Sequence, residues 1–269
     1  MADIKVGVAG CAGRMGRCIV NAVNETEGLV ICGGTEQKGS SYVGKDIGEL
    51  AGIGSNNVTV KESLANIIGD CDVIIDFTSP TAALEHFLIA AENGKAIVIG
   101  ATGFTDEHWN TFNGMSKNVR AVIAPNMSVG VNLLFKLVHD TAKIIGDSYD
   151  IEIVEMHHNQ KVDAPSGTGV KLSEIAAEAV NRKISEVGVY GRHGQTGKRT
   201  PKEIGVMTLR GGDVVGDHTV IFAGKGERLE LTHKAGSRDN FANGATLAAG
   251  WIIDRPNGIY DMQDVLGLK

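Results

Sequence analysis

A basic excess is missing from this chain. Lys and Arg number 26 against 32 Asp and Glu, a formal net charge of −6 over 269 residues. Binding a phosphate backbone needs a basic field, so nucleic acid is excluded as the main partner. An anionic ligand has to be met by a local positive site instead. Aromatic residues are scarce, at 5%, so the core is built from aliphatic side chains. Cysteine is scarce as well: Cys11, Cys18, Cys32 and Cys71 all fall in the first third, with no C-x-x-C pair. That pattern argues against a disulfide framework or a zinc site and fits a reducing cytoplasm. No apolar run is long enough to span a membrane, and Met1-Ala2-Asp3-Ile4-Lys5 leads into a strand and not a signal peptide, so no membrane partner is expected. Internal repeats and low-complexity tracts are absent too.

What is present is a soluble, globular composition with 42% hydrophobic residues, 22% charged residues and 36 glycines. The length favours two domains. Residues 4–9, 29–33, 73–77, 96–99 and 119–123 read as buried strands. Helical patterns lie at 14–24 and, opened by Pro80, at 80–92, where proline suits the first turn. Residues 36–57 are rich in Gly, Ser and Asn and read as loop. Alternating strands and helices predict βαβ units and a parallel sheet, with ligands at the carboxyl ends of its strands.

The pattern changes after Asn126. A long amphipathic helix is expected over 129–145, a strand over 151–156, a polar loop over 157–167 and a helix over 168–180. Three strand-like runs follow at 204–210, 214–222 and 228–233, separated by turns short enough for antiparallel pairing but not for helical crossovers. The expected fold class is therefore α/β: an N-terminal Rossmann-like dinucleotide-binding domain over 1–128, then an α+β domain over 129–238 with a mixed, largely antiparallel sheet. The apolar C-terminal helix, beginning at 239, is expected to return to the first domain, so that 239–269 completes it.

Gly10, Gly13 and Gly16 follow the first strand and open a helix, with the spacing G-x-x-G-x-x-G. Glycine lets the backbone turn tightly and approach a pyrophosphate, and the helix start offers N–H groups to it. Glu36 stands about twenty residues on, at the end of the second strand, where a ribose-binding carboxylate is expected. Cys11, inside this loop, reads either as a small residue in a tight turn or as a reactive thiol. Two later strand ends, residues 100–104 and 124–127, fall where the same ligand would lie, although either could be an ordinary βα loop.

The most informative segment runs from Glu155 to Thr168. It places His157, His158 and Lys161 ahead of the Ser166-Gly167-Thr168 helix start. Histidine exchanges protons near neutral pH, lysine offers a compact positive charge, and a helix start presents N–H groups to an anion. These groups suit a small acid that is both held and protonated. Ser166 also fits a plain N-cap, and Asp163 ahead of Ala-Pro also fits a turn. Metal binding ranks below acid–base use, because Glu155 and Asp163 are the only carboxylates nearby, and no metal is expected.

From these residues the whole chain resembles the dihydrodipicolinate reductase family. The resemblance is most specific over Glu155 to His158 and Lys161 to Thr168. It is supported by Val8 to Gly10, Gly13 to Gly16, Asp76 to Thr78, Gly100 to Phe104, Asn126 to Gly130, Thr232 to Ala235, and Ser237-Arg238. It implies a cytoplasmic homotetramer built through the second domain, with NADH or NADPH as cofactor and a small cyclic dicarboxylate as substrate. It also implies His157 as proton donor with Lys161 as its catalytic partner. His158, Ser166, Gly167, Thr168 and Thr102 are implied as substrate contacts. The implied cofactor contacts are Gly10, Cys11, Ala12, Gly13, Arg14, Met15, Glu36, Gly100, Ala101, Thr102, Ala124, Pro125, Asn126 and Met127. Two departures stand out: Gln37 replaces the arginine often found after the ribose acid, with Lys38 a possible substitute, and Ala101 replaces a common threonine. The resemblance places the chain in lysine and diaminopimelate synthesis. Two other readings stay open: a different imine or amino-acid reductase on the same scaffold, and a non-catalytic NAD(P)H-binding redox sensor.

Overall fold

The structure is a computed structural model describing residues 2–269. The described residues form two compact units, one of residues 2–129 with 238–269 and one of residues 130–237.

In the first unit, β1 (Ile4–Ala9), α1 (Arg14–Glu25), β2 (Leu29–Thr35), α2 (Ile47–Ala51), β3 (Val60–Lys61), β4 (Val73–Asp76), α3 (Pro80–Glu92), β5 (Ala96–Ile99), α4 (Asp106–Met115) and β6 (Arg120–Ile123) follow in order. The chain leaves through α5 (Val129–Ile145), which enters the second unit. It returns as α8 (Asp239–Ile252), β12 (Gly258–Tyr260) and α9 (Met262–Val265). The seven strands are all parallel, in the order β12-β6-β5-β4-β1-β2-β3. Strands 4 and 5 are fully buried four-residue runs, VIID and AIVI, as expected where both faces of a parallel sheet are covered. Alternate residues face opposite layers: Val6 and Val8 join α1 and α8, while Ile74, Ile97 and Ile99 join α3 and α4. Small residues let α8 approach closely, and Ala242, Ala245, Ala248 and Ala249 are all fully buried on it.

Several elements depart from expectation. Residues 36–57 are not all loop, because Asp46 organises α2. Its carboxylate accepts N–H bonds from Gly48, Glu49, Asn56 and Asn57 and a bond from the Ser55 hydroxyl. Helix α4 is held by a capping box between Thr105 and His108 and buries only Phe112, so its apolar periodicity is faint. Helix α8 is not the last element, since β12 adds an edge strand beside β6.

The second unit holds β7 (Asp150–His157), α6 (Gly167–Ala179), α7 (Ile184–Val187), β8 (Gly188–Val189), β9 (Ile204–Arg210), β10 (Gly216–Ala223) and β11 (Arg228–Ala235). Its sheet is mixed, in the order β11-β10-β7-β9-β8: β10 is antiparallel to β7 and β11, and β9 is parallel to β7 and β8. The short turn between β9 and β10 does not make a hairpin, as antiparallel pairing of 204–210 with 214–222 would. It passes over the end of β7, which lies between them. The crossing is pinned by Gly211 N–H to the His157 carbonyl (2.9 Å), His158 N–H to the Val214 carbonyl (2.8 Å) and Asn159 N–H to the Gly212 carbonyl (3.2 Å). This arrangement fixes the point where the polar loop leaves the sheet.

Candidate active site

Strand β7 alternates strictly. Ile151, Ile153, Glu155 and His157 are buried on one face, and Glu152, Val154 and Met156 face the other way. The buried face is apolar at one end and polar at the other. Ile151 and Ile153 pack with Val220 and Phe222 against residues of α5 and α6. Two steps further along, the register sets Glu155 beside His218 and Thr208, His218 beside His233, and His157 beside Arg210.

Glu155 is the hub of this polar end. It is completely buried, and its carboxylate is fully engaged: Oε2 lies 2.6 Å from Nδ1 of His157, the Arg210 guanidinium donates to both oxygens (2.9 and 3.0 Å), and the Ser166 N–H donates to Oε1 (2.9 Å). Burial alone would raise its pKa, but the Arg210, His157 and Ser166 bonds outweigh burial and hold it below the ordinary carboxylate value. An ionised carboxylate only accepts, so Nδ1 of His157 carries the proton and Nε2 is the atom that can exchange one. A side chain at Gly216 would come to 2.9 Å from that Nε2, so glycine keeps the space there open. Burial lowers the pKa of His157, and Lys161 and Arg210 add to this while Glu155 opposes it.

Two other histidines lie on the same face, His218 buried and His233 partly buried. His218 packs edge-on to His157, with ring centroids 5.1 Å apart, and its Nε2 is 3.1 Å from the Ser166 hydroxyl. Burial brings its pKa down to about 4, with the positive potential of His157 next. Burial likewise lowers His233.

The loop beyond β7 brings its predicted residues together unevenly. Lys161 pairs with Asp163 at 2.8 Å. His158 is half-buried, and its Nδ1 accepts the Gln160 N–H at 3.2 Å. Ser166 is buried as the N-cap of α6: its hydroxyl accepts the Gly169 N–H at 3.0 Å and meets His218, so it is committed to structure. Gly167 and Thr168 form the first turn of α6, at the positive end of its dipole. Arg210 and His218 were not singled out from sequence, and His233 entered only within the Thr232 to Ala235 segment, without a role. The signal for them is register: each falls on the Glu155 face once the strands are paired.

In the first unit, Gly10 has φ +65°, a left-handed turn that glycine alone adopts without strain. A side chain at Gly16 would fall 2.1 Å from the Gly10 carbonyl, so this helix turn packs directly on the loop. The Glu36 carboxylate accepts the Ala12 N–H at 2.9 Å, which draws the end of β2 to the loop. A cavity of about 330 Å³ opens here, lined in part by Gly10, Gly13, Arg14, Met15, Glu36 and Thr78. A left-handed glycine, a glycine N-cap on α1 and a carboxylate at the strand end fit a dinucleotide's pyrophosphate and ribose. Gly100 follows β5 under the Phe77 ring, where a side chain would come within 2.3 Å. Thr102 is exposed in the same loop.

Several predicted cofactor contacts can act only through their backbone. Cys11 is fully buried, and burial pushes its thiol up to about 12, which removes the reactive-thiol reading. Ala101, Ala124 and Met127 are buried, and Met127 packs in the same core as Ala242 and Ala245. Pro125 is more open, and the Asn126 side chain accepts the Ser128 N–H at 2.9 Å, which fixes the turn after β6. Among the described residues no cluster of three or more His, Cys, Asp or Glu side chains is arranged to hold a metal ion. None of their helices is long and apolar enough to cross a membrane.

Comparison with known proteins bears on both units. Residues 4–127 match the family model for the dihydrodipicolinate reductase N-terminus, and residues 130–266 match that for its C-terminus. The chain is 54% identical over 265 residues to 4-hydroxy-tetrahydrodipicolinate reductase of Desulfotalea psychrophila, covering 98% of each chain. It is 49% identical over 266 residues to the enzyme of the same name from Geotalea uraniireducens, covering 99% of this chain and all of that one. Among solved structures, a dipicolinate-bound dihydrodipicolinate reductase from Paenisporosarcina sp. TG-14 superposes with a TM-score of 0.77 at 26% identity, covering 97% of this chain and 98% of the other.

Proposed function

The chain belongs to the dihydrodipicolinate reductase family, and from that premise we propose how its own residues carry out the reaction. The protein is an NAD(P)H-dependent 4-hydroxy-tetrahydrodipicolinate reductase of lysine and diaminopimelate synthesis. The observation that carries the assignment of roles is the Glu155–His157 contact, which leaves one histidine nitrogen free at the end of β7.

Residues 1–128 with 239–269 hold the dinucleotide, and residues 129–238 hold the substrate. The dinucleotide is held by Gly10 to Met15, Glu36, Gly100 to Thr102, and Ala124 to Met127, with Cys11, Ala101, Ala124 and Met127 contributing backbone only. The substrate is a ring imine with two carboxylates, formed from 4-hydroxy-tetrahydrodipicolinate by loss of water. When bound, the nicotinamide supplies a hydride to ring C4 of this conjugated system. Nε2 of His157 gives the proton that quenches the charge developing on the ring. Lys161 turns from Asp163 to a substrate carboxylate, and the start of α6 at Gly167 and Thr168 takes up negative charge. His158 and Thr102 complete the substrate contacts. Ser166 contributes by fixing the helix start and Glu155.

The protein acts in the cytoplasm as a homotetramer built through the second unit's sheet. Supporting the assembly, the face of that sheet opposite His157 carries Val154, Met156, Met207, Leu209 and Ile221, none of them fully buried. Sedimentation at micromolar concentration is expected to give a tetramer, and a monomer would remove this part of the proposal. The chemistry is tested with NADH carrying deuterium at nicotinamide C4. Deuterium is expected in the tetrahydrodipicolinate product at ring C4, and product without deuterium would refute the hydride step.

A further inference from the structure

The sulfurs of Cys32 and Cys71 lie 2.9 Å apart, although β1 lies between β2, which carries Cys32, and β4, which Cys71 precedes. Two local features bring them together. The register of β1 on β2 pairs Val6 with Ile31 and then Gly7 with Gly33, so Cys32 is the extra residue of a bulge. Gly7 on the intervening strand has no side chain, and a Cβ there would fall 2.7 Å from the Cys71 sulfur. The gap over Gly7 is thus where a thiol from β2 meets a thiol at the entry to β4. Cys71 is fully buried and also contacts the Ile67 carbonyl at 3.3 Å, whereas Cys32 is only partly buried.

We infer that Cys32 and Cys71 are a reversible dithiol–disulfide pair in the dinucleotide-binding unit, oxidised by hydrogen peroxide or an organic hydroperoxide. The thiolate of Cys32 attacks a peroxide oxygen, the O–O bond breaks, and Cys32 becomes a sulfenic acid. The Cys71 sulfur then displaces that hydroxyl to form the S–S bond, and the Cys71 proton leaves with it as water. In sum, two thiols and one hydrogen peroxide give one disulfide and two waters. The division of labour follows from the surroundings. The hydrogen bond from Cys71 lowers the pKa of the Cys32 thiol against the opposing effect of burial, and the same bond together with burial holds Cys71 protonated. The other two cysteines lack such a partner, and burial raises both thiols. A transient, redox-responsive pair is also the form in which disulfides are usual inside cells.

The test uses the full-length protein, treated with hydrogen peroxide, quenched with catalase, unfolded in an alkylating reagent and digested without reduction. The expected result is one cross-linked species joining the Cys32 and Cys71 peptides, about 2 Da lighter than their sum because two hydrogens are lost. Cys11 and Cys18 should be alkylated, and dithiothreitol before alkylation should return all four cysteines to the alkylated form. Cys32 recovered as a sulfinic or sulfonic acid with Cys71 alkylated would overturn the inference. So would recovery of both as alkylated thiols, or a cross-link to Cys11 or Cys18. Cys32→Ser, at the more open position, should abolish the cross-link and leave Cys71 alkylated. The wild-type measurement decides without it.

Discussion

The carboxylate of Glu155 holds the His157 ring by Nδ1 at 2.6 Å, and the same carboxylate is clamped by Arg210 from the neighbouring strand. Glu155 therefore orients the imidazole while its charge is shared with a guanidinium. His157 stays below the ordinary histidine pKa, with burial the largest cause, so that it binds its transferable proton weakly. Replacing it with Gln is expected to lower kcat by ~10²–10⁴, the usual range for losing a positioned acid. Affinity for NADH should be unchanged, because the proposed dinucleotide contacts are on other residues. Steady-state kinetics with a cofactor titration checks both, and near-normal kcat at neutral pH would assign the proton to another donor.

In the proposed mechanism Lys161 exchanges Asp163 for the substrate. Their 2.8 Å pair is partly open to water, with the Asp163 side chain about half exposed, and such pairs contribute ~0–1 kcal/mol. Lys161→Ala is expected to weaken binding of pyridine-2,6-dicarboxylate by ~1.5–3 kcal/mol, the scale of a hydrogen bond to a charged group. Asp163→Asn, which frees the ammonium, should tighten binding by a few-fold at most, given ~1 kcal/mol for the pair. Calorimetry with NADH present measures both. Equal affinities across wild type and variants would reduce Lys161 to a surface lysine.

His218 makes stability depend on pH. Its folded pKa is about 4, against about 6.5 for an unperturbed histidine. Between those values the unfolded chain holds a proton that the native chain does not, so stability rises with pH across the window. The contribution is complete above about pH 6.5 and is lost as pH falls towards 4, on the order of 3 kcal/mol in all. Urea unfolding at several pH values should show this slope. His218→Gln should flatten it, leaving the smaller share of His157 and His233, whose pKa values are lowered in the same direction. An unchanged slope in the variant would mean that His218 is charged in the native state.

Cofactor choice should follow the end of β2. Glu36 accepts the Ala12 N–H and presents a carboxylate where a ribose diol would bind, which disfavours a 2′-phosphate. With Gln37 beside it, NADH is expected to be used at least as well as NADPH. A preference for NADPH of more than tenfold in kcat/KM would contradict this and point to Lys38, with Lys38→Ala as the follow-up.

The glycine loop, the acid at the end of β2 and the strand-helix alternation were legible because each is a local signal: φ near +65° at Gly10, or a four-residue apolar run bounded by turns. His157 and Lys161 drew attention in the sequence through the chemistry packed into one short segment, of which His157 ends β7. Arg210 and His218 did not, because their place beside Glu155 depends on β9 and β10 flanking β7, and a short turn by itself suggests a hairpin. Helix α2 was hidden for another reason. It is held by the side-chain bonds of Asp46, which leave no periodic trace in the sequence.

The most direct measurement of the central claim is the loss of nicotinamide absorbance when the protein meets freshly made product of dihydrodipicolinate synthase. Rapid NADH oxidation is expected, abolished by omitting the synthase product, inhibited by pyridine-2,6-dicarboxylate and reduced ~10²–10⁴-fold by His157→Gln. No oxidation of NADH or NADPH with that substrate, or faster turnover with an imine such as that of aspartate, would contradict the account.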